Sequence, residues 1–422
     1  MAINKVIDIE LFGVEIGKLG YDMDQLLCSF QYNPKFLESG QYQRIFPYIF
    51  KRIPLVQVFT QFEGTTFRGL PPMIADSLPD MFGNIIFKEW FKANNKEFDK
   101  ITPLEQLAYV ANRGMGALEY KPVVKVPDNA TINLDQIVEV LKQVLDVKKN
   151  TLEKNIDTTA LLNIFKIGSS AGGARPKILI SEHKETHEII PGDMIYSNEY
   201  NHFLIKLNID EDEGYNKEIV EYVYYLLANE AGIHIMESKL IEGRHFATLR
   251  YDRQNGEKQH VLTACGLTGW DFMKPENASY ENVFKLATDL KVPHKDLQEL
   301  YRRMIFNVVL ANDDDHLKNH SFIYDKENDA WNLAPAYDIT YPHNLKYKIY
   351  RKGRALSINK KRTAIQLNDV LAIAELYAIK NPKKIIKEVQ SVLPLWKQWA
   401  KQEKIPEFAI EAINKEFSIL LE

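Results

Sequence analysis

Cysteine is scarce in this chain, and what there is does not cluster: Cys28 and Cys265 lie far apart and form no CxxC pair. A disulfide framework and a cysteine zinc site are therefore not indicated. No run of about 18 apolar residues occurs, so no membrane span is expected. The opening Met1-Ala2-Ile3-Asn4-Lys5-Val6 leads into an alternating stretch without a signal-peptide core, and the expected compartment is the reducing cytoplasm. Excess positive charge is missing too: 53 Lys and Arg stand against 57 Asp and Glu, a net charge of −4. Without a basic field over the whole molecule, any direct contact with nucleic acid has to be local. Internal repeats and low-complexity segments are absent.

What is present is ordinary for a globular protein. Hydrophobic residues make up 45% of the 422-residue chain and charged residues 26%, proportions that fit a folded chain rather than a disordered or fibrous one. The length predicts two or three domains. Residues 7–19 alternate apolar and polar around Gly13 and Gly17, which predicts a β-hairpin, and 55–62 reads as a further strand. Asp76-Ser77-Leu78-Pro79-Asp80 reads as a helix entrance. An amphipathic helix is expected over 134–147, leading away from a domain boundary near 125. Short β-branched runs between 164 and 206 predict a sheet, and 218–231 has helical spacing that stops at Gly232. Beyond Tyr280 the periodicity is mostly helical, over 298–310, 367–377 and 382–401, the last interrupted by Pro394.

Three segments carry chemistry. The first is Asn312-Asp313-Asp314-Asp315-His316-Leu317-Lys318-Asn319, after an apolar helix. In a phosphoryl-transfer loop, an Asp that orients the acceptor hydroxyl is followed five residues later by an Asn that holds Mg²⁺. Only Asp314 has that spacing to Asn319. An acidic triplet by itself is more often a cap or a solvated turn. An EF-hand is disfavoured by the missing central glycine, and His316 with His320 lacks the HExxH context of a zinc site. The second segment, Trp331 to Thr340, places Asp338 after an apolar strand-like run, where it could complete a Mg²⁺ site with Asn319. It lacks the glycine of a DFG signature, and alone it would read as a turn. The third, Gly168-Ser169-Ser170-Ala171-Gly172-Gly173-Ala174-Arg175-Pro176-Lys177, is a glycine-rich loop whose amides could approach phosphate oxygens. It is neither a Walker A motif nor GxGxxG.

Order along the chain adds to these. Phe203-Leu204-Ile205-Lys206 presents one lysine from an apolar strand, as a phosphate-binding lysine would be presented. Glu218 and Glu221 follow on a helix, either placed to pair with Lys206. The strand expected over 246–253 offers backbone around Tyr251 to an adenine and Asp252 to a ribose. Each has a plainer reading, as a snorkelling lysine, a solvated helix face or a turn residue.

The glycine-rich segment, the 312–319 segment and Pro335-Ala336-Tyr337-Asp338 together resemble the signatures of HipA-type serine/threonine kinases. Phe67-Arg68-Gly69-Leu70-Pro71-Pro72, Asp76 to Gly83 and Arg113-Gly114-Met115-Gly116-Ala117-Leu118 resemble the additional amino-terminal subdomain of that family, so the likeness covers nearly the whole chain. The fold it implies is α+β: a protein-kinase-like two-lobed fold, with a mixed α/β subdomain over 1–125, a small lobe over 126–265 and a mostly helical lobe over 266–422. Asp314 is by this resemblance the catalytic base, Asn319 and Asp338 hold Mg²⁺, Lys206 binds ATP phosphate with Glu221 as its partner, and His316 and Asp252 fall at the ribose. Ser170, Ala171, Gly172, Gly173 and Lys177 would line the nucleotide phosphates, and Ser170 is the expected site of autophosphorylation. The implied partners are a HipB-like helix-turn-helix antitoxin, DNA through that complex, and a translation protein such as an aminoacyl-tRNA synthetase as substrate. A small-molecule kinase and an inactive regulatory binding module are the alternatives.

One feature lies outside the motifs. Residues 345–362 contain Lys346, Lys348, Arg351, Lys352, Arg354, Lys360, Lys361 and Arg362 and no acidic residue. Such runs are usually solvated; the functional expectation is a patch facing DNA or an RNA-bound substrate.

Overall fold

The expected hairpin forms as Val6–Leu11 and Val14–Asp22, paired antiparallel with Ile7 opposite Leu19. Alternation dictates the face it buries: Ile7, Ile9 and Leu11 point into the core with Ile16 and Leu19. In this computed structural model the residues described are 6–64, 66–94, 97–123, 134–149, 175–192, 196–209, 214–345 and 353–421. The packing divides the chain into two units. One comprises 1–209 with 247–261, the other 210–246 with 262–422.

In the first unit the hairpin belongs to an antiparallel sheet in the order Gln57–Val58, Leu27–Tyr32, Val14–Asp22, Val6–Leu11, Leu118–Lys121. Helix Pro103–Val110 packs on it. That helix opens with a capping box, Thr102 Oγ1 accepting from Glu105 N and Glu105 Oε2 accepting from Thr102 N, which satisfies two donors that a helix start leaves over. The strand expected over 55–62 is a correction: only Gln57–Val58 pairs, and Thr60–Phe62 is a 3₁₀ turn. Leu55, Val56 and Val58 stay exposed while the turn drives Phe59 and Phe62 inward. Burial of two aromatic rings outweighs local β propensity here. Gly69, at φ +76°, lies so close to Leu26 that a Cβ would overlap its carbonyl oxygen, and only glycine fits both constraints.

Within this unit a second sheet sets Ile189–Pro191, Lys177–His183 and Tyr200–Lys206 side by side in that order. Its central register puts Lys177 opposite Lys206 and Ser181 opposite His202. The amphipathic segment past residue 133 forms helix Leu134–Lys149.

The second unit is mostly helical. Helix Lys217–Glu230 starts at Asn216, whose side chain accepts from Glu218 N and Ile219 N, and the chain leaves it through Gly232 at φ +73°. Helices Tyr280–Asp289 and His294–Val309 pack together, and a hairpin of Ser321–Asp325 with Ala330–Leu333 follows. The periodic stretch after 381 becomes two helices, Pro382–Gln390 and Leu393–Gln402, because Pro394 is accommodated in a first turn and not in a helix interior. Trp396 anchors the core: fully buried, it meets Tyr224 edge-on at 5.6 Å and donates from Nε1 to Ile410 O at 3.1 Å. No helix among the described residues is long and apolar enough to cross a membrane.

Candidate functional site

Helix His294–Val309 ends at Leu310, Ala311 takes φ +57°, and the acidic loop begins. Its three aspartates diverge. Asp313 is half-buried, with Oδ1 2.6 Å from His343 Nε2. Asp315 is buried, accepting at Oδ2 from Tyr280 Oη at 2.5 Å and Arg354 Nη2 at 2.7 Å. Asp314 alone is exposed. Partial desolvation pushes its carboxyl above the ordinary carboxylate range; His316 opposes this, and the charges of Asp338, Asp313 and Asp315 add to it. A carboxyl raised in this way is a better proton acceptor when a hydroxyl is presented to it.

The loop closes in a 3₁₀ turn, Leu317–Asn319. His316 N donates to Asp314 O at 2.9 Å, Asn319 N to His316 O at 2.8 Å, and Asn319 Nδ2 to Asp314 O at 3.0 Å. The last bond fixes the amide so that its carbonyl oxygen is the end able to meet a cation. Asp338 follows the hairpin and takes φ +55°, a left-handed conformation that Asp tolerates better than most residues. Tyr337 beside it donates to Lys318 O at 2.6 Å and lies 2.5 Å from Ser321 Oγ, which ties this segment to the acidic loop.

Asn319 and Asp338 line one small cavity of about 10 Å³, together with Asp315, Asn307, Asn312 and His320. Among the described residues no three His, Cys, Asp or Glu side chains converge as a self-sufficient metal cage. One carboxylate and one amide oxygen suit Mg²⁺, which keeps waters and takes its other ligands from substrate phosphates. His316 stands beside the loop with its ring 5.3 Å from Phe272, and Lys318 Nζ lies 5.0 Å over that same ring.

In the first unit, Lys177 and Lys206 are both buried at facing positions of the sheet. Glu221, fully buried on helix Lys217–Glu230, belongs to the second unit. Ser170, Ala171, Gly172 and Gly173 lie outside the described residues.

Asp252 requires a correction. Its carboxylate is fully buried, accepting at Oδ1 from Arg250 Nε at 2.9 Å and at Oδ2 from Arg250 Nη2 at 2.8 Å, Arg253 Nη1 at 2.8 Å and Gly116 N at 2.7 Å. With both oxygens engaged inside the protein, the side chain serves this unit's interior rather than a ribose. Tyr251, also buried, accepts at its carbonyl from Gln254 Nε2 at 3.1 Å.

Of the four described cations of the basic stretch, three have partners inside the protein, while Lys360 is exposed as the expected patch would have it. Arg354 is buried against Asp315, Lys361 pairs with Asp369 at 2.9 Å, and Arg362 spends its guanidinium on carbonyls of Arg354, Ala355, Pro275 and Ala278. Charge counted along a sequence does not separate solvated cations from those satisfied internally. Lys346, Lys348, Arg351 and Lys352 lie outside the described residues. Tyr280, Asn307 and Phe272 were not legible as site residues, since nothing in their spacing ties them to the acidic loop.

The chain spans 97% of its own length and 95% of the partner's when superposed on HipA of Shewanella oneidensis MR-1, solved with HipB and operator DNA, at a TM-score of 0.61 and 15% identity. That likeness shows the fold, the expected α+β kinase-like class. A putative kinase of Haemophilus influenzae is 27% identical over 190 residues, 40% of this chain and 52% of the relative, so the match spans about half of that relative's length. The profile of the HipA N-terminal domain matches residues 7–121, and that of the HipA-like C-terminal domain matches 169–396, more than half the chain. The chain therefore belongs to the HipA family.

Proposed function

We propose that this protein is an ATP-dependent serine/threonine protein kinase, the toxin of a toxin–antitoxin pair. The observation that carries the reading is the divergence of the acidic triplet: one exposed aspartate, Asp314, between a half-buried Asp313 beside His343 and a buried Asp315 held by Tyr280 and Arg354, with Asn319 pinned to the Asp314 backbone carbonyl. The acceptor hydroxyl attacks the γ-phosphorus of ATP, ADP leaves, and Asp314 orients that hydroxyl and takes its proton. Asn319 and Asp338 would hold Mg²⁺, which supplies neutralisation of phosphate charge when bound. Lys206 and Lys177 add positive charge toward the phosphates.

The acceptor is proposed to be a translation protein, such as an aminoacyl-tRNA synthetase. A HipB-like antitoxin would bind the chain and carry it to DNA as a co-repressor; the solved relative's complex with HipB and operator DNA supports that partner set. Ser170 is proposed to be phosphorylated by the protein itself. About 1.5 to 2 negative charges there would oppose entry of anionic ATP.

The test is γ-phosphate transfer by the purified protein and its Asp314→Asn variant. Transfer is expected to fall by about 10²- to 10⁴-fold with the fold unchanged. A variant that keeps most of the transfer removes Asp314 from the base role.

A further inference from the structure

We propose that Arg354 is a positioning residue that sets the acidic loop in its working geometry, a role additional to neutralising Asp315. Arg354 holds the loop at two points: Nη2 donates to Asn312 O at 3.1 Å and to Asp315 Oδ2 at 2.7 Å. The next residue adds a third, Ala355 N donating to Asp313 O at 2.7 Å. The residues on either side of Asp314 are thus fixed by one short segment, which is itself closed by Arg354 N donating to Arg362 O at 2.8 Å and by Arg362 Nη1 donating to Arg354 O at 2.9 Å.

The rest of the network converges on the same carboxylate. Tyr280 Oη donates to Asp315, accepts from Asn307 Nδ2 at 3.0 Å, and Asn307 Oδ1 accepts from Asn312 Nδ2 at 3.0 Å. Helices Tyr280–Asp289 and His294–Val309 therefore support the loop from one side and Arg354 completes the enclosure. A guanidinium suits this task because its planar fork can serve a carbonyl and a carboxylate from one rigid group. Displacing a reacting group by about 1 Å costs on the order of 10²-fold in rate, so a loop freed at Asn312, Asp313 and Asp315 loses turnover at Asp314 without losing nucleotide affinity.

The kinetic arm of the test rests on the phosphoryl-transfer reading; the exchange arm does not. Arg354→Met leaves a buried carboxylate unpaired, so it is compared with the double variant Arg354→Met/Asp315→Asn, in which that charge is also removed. The double variant is expected to regain thermal stability relative to the single one. Its kcat for phosphate transfer should stay about tenfold or more below the parent, with KM for ATP within about twofold. Amides of His316 and Asn319 should exchange about tenfold faster than in the parent, with helix Pro382–Gln390 unchanged. Recovery of parental kcat by the double variant overturns the positioning role. If the parent transfers no phosphate at all, the kinase reading falls and exchange alone decides: unchanged protection of the loop overturns the proposal.

Discussion

Replacing Asp252 by Asn removes one negative charge and almost no volume, yet the structure makes it a severe change. The parent carboxylate is surrounded by Arg250, Arg253 and Gly116 N, and the side chains of all three charged residues are at most 1% exposed. Asparagine would take the shared carboxylate charge away from two buried guanidinium groups, and would turn an amide donor toward donors. Breaking a buried pair in this way costs about 3 to 5 kcal/mol. The variant is expected to lose that much in urea unfolding, followed by hydrogen exchange of strands Leu118–Lys121 and Tyr200–Lys206. The pH dependence has a definite sign. Burial alone would raise the Asp252 carboxyl, but Arg250 and Arg253 overcome it and hold it well below the usual carboxylate range. A depressed folded value stabilises the protein above the unfolded value of about 3.9 and is lost as pH falls toward the folded one. Below about pH 4 the parent should therefore lose stability more steeply than the variant. Normal stability in Asp252→Asn, with only the KM for ATP raised, would refute this reasoning and restore the ribose reading.

Asn319→Ala should raise the Mg²⁺ needed for half-maximal phosphate transfer by about 10- to 100-fold, the size seen when groups supporting a metal site are removed; an unchanged Mg²⁺ titration separates Asn319 from the metal. Trp396→Ala opens a cavity at the centre of the second unit and leaves the Ile410 carbonyl without its donor. It should cost about 3 to 5 kcal/mol in thermal unfolding, and a loss under about 1 kcal/mol would mean that the core closes over the gap.

Sequence alone determined the local elements whose cause is local. The 6–22 hairpin follows from alternation, helix Lys217–Glu230 from its apolar spacing and Gly232 exit, and the break between Pro382–Gln390 and Leu393–Gln402 from Pro394. It also singled out Asp314 within the triplet, because a five-residue spacing to Asn319 is a one-dimensional property. Tertiary structure decided everything that depends on what a charge faces. Three adjacent aspartates look alike in a sequence, yet Tyr280 and Arg354, 35 and 39 residues away, take Asp315 into the interior and leave Asp314 to solvent. The same holds for Asp252, whose partner Gly116 lies 136 residues earlier. Arg354 counted as one cation in a basic run until packing gave it a carboxylate. Periodicity reports which face of a segment is apolar, whereas the desolvation and pairing that set a side chain's charge state come from groups that only the folded chain brings near.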